Sequence, residues 1–433
     1  MMSFAIVVAG GCKPAAPLSG KWTGTVEHAG AAAAVTVEMS DAGSGRMRVT
    51  ADDNGIFDFP GVLRESGAML DGEIRRGDEI IRLHGQRSGD SIEGTATLGD
   101  FVAHVHLRRT GPASAPRFSE IPTAVPRGSR ALGAMLLMPV GPAPHPAVVL
   151  IHGSHGPSRE DLRGPATLFA RNGIAALIYD KRDLGADQRR EHRYSFQELA
   201  DDARAAVRLL KQRHDIDPAR IGVFGISEGG WVAPIVASDN SDVAFVITVS
   251  APAVSYAAVE DAMTRAELRA EGRPESDIGR AISLLHRVND YARFRGDGAA
   301  LTRDLEDASR ESWAHNIALP RTAPSEEDIR SDVRWRELDL DAGAYWRRVH
   351  VPIFAAWGDH DPHPVAESES TMRTALALAG NREVTLRVFP NATHELLVVT
   401  RPGEPWQWPR LAPHFIDEML QWTSARVKRS SAQ

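Results

Sequence analysis

The chain has 433 residues, of which 42% are apolar and 25% charged, and a formal net charge of -7. That length suits two domains, or one large domain with additions, and the composition supplies an ordinary core and excludes wholesale disorder. The acidic balance gives no support to nucleic-acid binding, which needs a clustered basic excess. The single cysteine rules out an intramolecular disulfide and a cysteine-built zinc site.

That cysteine, Cys12, closes a short apolar run, Phe4 to Gly11, that ends in small residues. A bacterial lipoprotein signal ends this way, with the cysteine acylated after cleavage. The run is too short to span a bilayer, and the charged start of a signal peptide is missing. Residues 1–17 are therefore expected to be a truncated lipoprotein-type signal and tether. Membrane attachment through a lipidated Cys12 and a place in the cell envelope or periplasm follow from it; the alternative is a secreted protein.

Residues 18–110 read as short strands separated by Gly, Asp, Asn and Ser turns. Lys21–Glu27, Ala34–Met39, Glu79–His84, Ser91–Thr97 and Phe101–Leu107 mostly alternate apolar and polar residues, as strands with one wet face do. Seven or eight such strands predict a small antiparallel barrel or sandwich. His84, His104 and His106 invite a metal-site reading, but the sequence offers them no obvious carboxylate, and ordinary strand histidines are expected. Residues 111–128, rich in proline (Pro112, Pro116, Pro122, Pro126), read as a linker.

From about 129 to 426 the pattern changes. Continuous apolar strands (Ala147–Ile151, Ile174–Tyr179, Ile221–Gly225, Ala244–Val249, Val351–Trp357, Val384–Phe389) alternate with helical stretches. This predicts an α/β unit: a mostly parallel sheet with helices on both faces. Residues 252–345 interrupt the alternation with charged segments of helical period, such as Ala262–Ala270 and Ile278–Tyr291. They are expected to form a helical cap insertion over the C-terminal edge of the sheet, where ligands bind in such folds.

Gly225-Ile226-Ser227-Glu228-Gly229 follows one of these strands and precedes a helix. That context turns a weak five-residue pattern into a nucleophile elbow, in which a sharp turn presents the Ser227 hydroxyl at a helix N-terminus. Pro234, early in that helix, is expected to kink it. A serine needs a positioned base, itself held by a third group, and the chain order of this arrangement is nucleophile, acid, histidine. After Trp357 comes Gly358-Asp359-His360-Asp361-Pro362-His363, and after Phe389 comes Pro390-Asn391-Ala392-Thr393-His394. His394 is the candidate base and Asp361 the candidate acid. Asp359 is expected to form the turn beside it. A metal held by this Asp-His cluster is not expected, since adjacent residues of one loop rarely converge on one ion.

The oxyanion needs preorganised backbone N–H donors. One is expected from Glu228, the residue after the nucleophile. The other is expected from Ser154 in the loop His152-Gly153-Ser154-His155-Gly156, with Gly153 close behind. His152 reads as a brace for that loop. The Glu228 side chain either disfavours anionic substrates, points to solvent or pairs with Arg182. Asn391-Ala392-Thr393 has the glycosylation pattern, but a glycan there would obstruct the His394 loop, so the site is expected to be unused.

Ile151-His152-Gly153-Ser154, Arg171-Asn172-Gly173-Ile174, Tyr179-Asp180-Lys181-Arg182, Gly225 to Gly230, Trp357 to Asp361 and Thr393-His394 resemble the bacterial α/β-hydrolases near the serine aminopeptidase and acyl-CoA thioesterase C-terminal-domain families. The resemblance covers about 130 to 425. It implies the α/β-hydrolase fold, a catalytic set of Ser227, Asp361 and His394, and no cofactor or metal. Where those families read Asp-Lys-Arg-Gly-x-Gly-x-Ser, this chain has Asp180-Lys181-Arg182-Asp183-Leu184-Gly185-Ala186-Asp187, which alters the rim of the site. The expected activity is a serine carboxylesterase acting on small or medium acyl esters. The alternatives are a serine peptidase or aminopeptidase of the same fold and, in another class, an inactive surface binding protein.

Overall fold

A computed structural model describes residues 17–40, 45–76, 79–154, 156, 158–182, 194–238, 242–315 and 317–428. The segment through Cys12 and the altered stretch after Arg182 lie outside them. The chain divides into two compact units. One gathers the described residues up to Asp52 with those of Ile56–Ala115 and Trp406–Trp408, and the other holds most of the remaining described residues.

In the first unit, strands β1 (Gly20–His28), β2 (Ala31–Met39), β3 (Arg46–Ala51), β4 (Ile56–Ser66), β5 (Met69–Arg76), β6 (Glu79–Ser88), β7 (Ser91–Leu98) and β8 (Phe101–Gly111) follow one another antiparallel. Pairing of β1 with β8 closes them into a barrel, which leaves no free edge. The inward positions of the alternating pattern (Trp22, Val37, Phe59, Leu70, Leu107) pack into one apolar cluster. The interior is thus filled by side chains. Two of the three barrel histidines singled out in the sequence, His84 and His106, do have carboxylate partners, contrary to the sequence reading. Register sets His84 opposite Asp71, with Nδ1 donating to Oδ1 at 2.7 Å, and His106 opposite Glu93, to which its Nδ1 also donates. Both pairs are exposed.

The second unit is built on an eight-stranded sheet. Its strands are β9 (Phe118–Arg127), β10 (Arg130–Pro139), β11 (His145–Ile151), β12 (Ala175–Tyr179), β13 (Ile216–Ile226), β14 (Val246–Val249), β15 (Ile353–Gly358) and β16 (Val384–Phe389), in the order β16-β15-β14-β13-β11-β12-β10-β9. Six strands run parallel, and β9 and β10 run antiparallel at one end. The linker expected at 111–128 is corrected here, because most of it is β9. Pro122 and Pro126 are tolerated there because β9 is an edge strand, where a proline need not supply a ladder donor.

Helices α1 (Arg163–Arg171), α2 (Phe196–Lys211) and α3 (Gly229–Ser238) connect the early strands. A capping box starts α2: Ser195 Oγ accepts from the Glu198 amide, and the Glu198 carboxylate accepts from the Ser195 amide at 2.9 Å. Helix α3 continues through Pro234 to Ser238. Between β14 and β15 lie α4 (Tyr256–Ala270), α5 (Glu275–Phe294), α6 (Gly298–Ala308), α7 (Glu326–Ser331), α8 (Val333–Arg336) and α9 (Ala342–Trp346), with no strand among the described residues. This is the expected helical insertion, and α5 and α6 carry an apolar cluster of their own around Leu285, Val288 and Leu301. Helix α10 (Val365–Leu378) joins β15 to β16. A two-stranded piece, β17 (Leu397–Val398) with β18 (Arg410–Leu411), precedes the last helix, α11 (Phe415–Val427).

Candidate active site

Ser227 stands between β13 and α3 with φ +53°, a left-handed conformation that a non-glycine residue adopts only where surrounding structure enforces it. The enforcement is visible. The Ser227 amide donates to the Val249 carbonyl at 2.9 Å, and the Gly230 amide donates back to the Ser227 carbonyl at 2.7 Å. A Cβ on Gly229 would stand 2.6 Å from the Ile151 carbonyl oxygen, and one on Gly225 would strike the Gly229 carbonyl. Both flanking glycines are therefore required by close backbone approach.

The histidine and the acid come from the loops after β16 and β15. His394 Nδ1 donates to Asp361 Oδ2 at 2.7 Å. The Asp361 carboxylate is fully buried, and its other oxygen accepts both the amide of His363 at 2.9 Å and His363 Nδ1 at 2.7 Å. Burial alone would raise the Asp361 pKa. The hydrogen bonds from His363 and His394, and the charge those rings carry when protonated, outweigh it and hold the carboxyl well below the usual range. Asp359 is exposed, with His360 3.9 Å away, and its amide donates to Phe389. Of the two aspartates, Asp361 is thus the one hydrogen-bonded to His394, while Asp359 is exposed.

Val249 and Ser250, at the end of β14, tie these loops together. Val249 receives the Ser227 amide, while the Ser250 hydroxyl donates to the His394 carbonyl at 2.5 Å. The Ser250 amide in turn donates to Ala356 of β15 at 2.7 Å. Among the described residues, no hydrogen bond joins Ser227 Oγ to His394. Such bonds are often long before a Michaelis complex forms.

The 152–156 loop follows β11 and reaches the same place. A Cβ on Gly153 would stand 3.3 Å from Ser227 Cβ. Among the described residues, neither the Ser154 nor the Glu228 amide donates a hydrogen bond. His152 is buried and its Nε2 donates to the Tyr179 carbonyl, which fits a loop brace. Burial, and then the Lys181 charge, push its pKa down to about 4.

The Glu228 side chain neither faces solvent nor pairs with Arg182, because it is buried against Lys181. Lys181 Nζ lies 2.8 Å from Glu228 Oε1 and 3.4 Å from the Ser154 carbonyl. Arg182 turns instead to Asp202 and Glu198, bonding Asp202 Oδ1 at 2.9 Å and Glu198 Oε1 at 3.1 Å. Three residues here escaped the sequence reading. Lys181 and His363 were visible only as members of motifs, and nothing in the sequence singled out Ser250. Asp361, His363 and His394 stand close enough together to share a metal ion, but both histidine Nδ1 atoms are already committed to the Asp361 carboxylate.

The chain is similar to several known proteins. A family model described as serine aminopeptidase, S33, matches residues 142–310. Esterase EstD of Thermotoga maritima is 23% identical over 302 residues, 67% of this chain and 65% of that protein. Thiohydrolase aneE of Aspergillus aculeatus is 30% identical over 135 residues, 30% of this chain and 41% of that protein. The chain thus matches a little under two thirds of the esterase and about two fifths of the thiohydrolase. Among solved structures, a Pyrococcus furiosus esterase aligns with 72% of this chain and 92% of its own, at 15% identity and a TM-score of 0.45. With its parallel sheet and the left-handed serine between β13 and α3, the second unit has the α/β-hydrolase fold, and the chain is similar to esterases and hydrolases of that fold.

Proposed function

We propose that the chain is a serine carboxylesterase that hydrolyses small or medium acyl esters through an acyl-enzyme on Ser227. The observation that carries this reading is the 2.7 Å bond from His394 Nδ1 to buried Asp361, on loops tied through Val249 and Ser250 to a strained Ser227. With its Nδ1 proton held by Asp361, His394 presents an unprotonated Nε2. That nitrogen takes the Ser227 proton as Oγ attacks the ester carbonyl. The oxyanion is met by the Glu228 and Ser154 amides. His394 returns the proton to the departing alcohol, and a water activated by the same nitrogen then clears the acyl group. No step calls on a cofactor.

An amide substrate with a free amine would need an acidic anchor. Two acidic residues of the insertion are already engaged, Glu260 with Arg334 at 2.6 Å and Asp261 with Arg265 at 2.9 Å, and Glu267 is exposed. This favours the ester over the aminopeptidase reading. Envelope attachment through an acylated Cys12 is proposed on the sequence alone, and loss of fatty-acid labelling in Cys12→Ser is the outcome it requires.

Hydrolysis of p-nitrophenyl esters of increasing acyl length tests the esterase reading. It requires turnover that is greatest for short or medium chains. No turnover of any ester, with cleavage of aminoacyl anilides instead, would replace it with the peptidase reading.

A further inference from the structure

Lys181 immediately follows Asp180 at the end of β12, yet its ammonium reaches the two segments expected to supply the oxyanion donors. It lies 2.8 Å from Glu228 Oε1 and 3.4 Å from the Ser154 carbonyl. The side chains of Lys181 and Glu228 are only 11% and 9% exposed. A carboxylate this buried requires a partner. Its location makes the requirement chemical as well as structural, because the oxyanion would form against the amide of that same Glu228. Two negative charges in a shielded site repel strongly. Lys181 cancels one of them and ties the Ser154 loop to the elbow.

We propose that Lys181 is the positioning residue of the oxyanion site: it neutralises the Glu228 carboxylate and fixes the Ser154 segment beside the nucleophile. The inference rests on the esterase reading of Ser227. The same ammonium bears on His152 of this loop, whose pKa falls through burial first and the Lys181 charge second. The neighbouring residue anchors the same region: Asp180 Oδ1 accepts the Arg159 amide at 3.0 Å, beyond the Ser154 loop.

A residue that only held the fold would lower activity whichever partner was removed. An electrostatic role predicts opposite signs. Kinetics of p-nitrophenyl acetate hydrolysis, normalised to active sites titrated on Ser227, separate the two. Lys181→Met should lower kcat on the order of 10²-fold, the scale of a lost oxyanion donor, with KM changed less than about threefold. Glu228→Gln, which leaves the ammonium unopposed, should raise kcat by roughly threefold. Adding Glu228→Gln to Lys181→Met should recover at least about tenfold of the loss. Should Lys181→Met alone not fold, the double variant, free of both buried charges, is compared with Glu228→Gln and must be about tenfold slower.

Parallel falls in Lys181→Met and Glu228→Gln, or a double variant equal to Glu228→Gln, overturn the proposal. Absence of any turnover by the wild type would instead overturn the esterase reading itself.

Discussion

The imidazole of His363 lies face to face with that of His394, with 4.2 Å between ring centroids and 19° between planes. Both rings donate Nδ1–H to Asp361, one to each carboxylate oxygen. The candidate base is therefore held at its edge by the acid and across its face by a second histidine. His363→Phe keeps a ring to stack on His394 but removes the side-chain bond to Asp361. A hydrogen bond to a charged group is worth about 1.5–3 kcal/mol, so kcat should fall by roughly tenfold to a hundredfold. KM should stay near the wild-type value, since His363 holds Asp361 and not the substrate. A change confined to KM would show that His363 lines the substrate pocket instead.

The assignment of roles in the loop after β15 makes a sharper comparison. Asp361→Asn should reduce kcat by on the order of 10⁴, because the amide favours the wrong tautomer of His394. Asp359→Asn should change it by less than about threefold, since that carboxylate lies outside the hydrogen-bonded set. Ser227→Ala and His394→Ala should each cost about 10⁴ or more. Steady-state rates of the four variants, measured side by side, check all of this.

Acid should destabilise the protein in a defined window. The unfolded chain takes up a proton on His152 near its ordinary value of 6.5, whereas the folded chain resists until about pH 4. The unfolded state therefore binds more protons between those values. The stability held above pH 6.5 is lost as pH falls towards 4, by up to about 3 kcal/mol. Urea unfolding at pH 7 and pH 4.5 measures the loss, and His152→Gln should lose less than wild type. Equal losses in the two proteins would place the acid sensitivity elsewhere.

Within the insertion, Glu260 and Arg334 form an ion pair at 2.6 Å with side chains only 15% and 14% exposed. Burial pushes the Glu260 pKa up, and the Arg334 charge works against that rise. Arg334→Ala leaves the carboxylate buried without its cation and should destabilise the fold by about 3 kcal/mol. Adding Glu260→Gln should recover much of that stability, as thermal unfolding of the three variants would report.

The elements of the candidate site were legible because each is dictated locally. Gly225 and Gly229 flank Ser227 because backbone crosses within van der Waals distance on both sides, and that demand is written in five consecutive residues. Asp361 and His394 follow apolar strands in the chain order that the fold imposes. Closure of the barrel was open between two architectures, since alternation reports which face is wet and not whether β1 meets β8. Strand β9 was lost to its prolines, which break a central strand but not an edge. Side-chain choice was hardest. Glu228 had two basic neighbours in the same motif, and only the backbone path after β12 decides that Lys181 turns inward while Arg182 turns to Asp202.

Covalent labelling reads out whether Ser227 is an activated nucleophile. The purified chain is treated with a fluorophosphonate, ester turnover is followed, and the adduct is located by peptide mass mapping. One adduct per chain is expected, on the peptide carrying Ser227, with turnover lost in proportion and both labelling and turnover absent from Ser227→Ala. Full turnover in Ser227→Ala, or an active wild type that Ser227 labelling leaves untouched, would show that Ser227 is not the nucleophile.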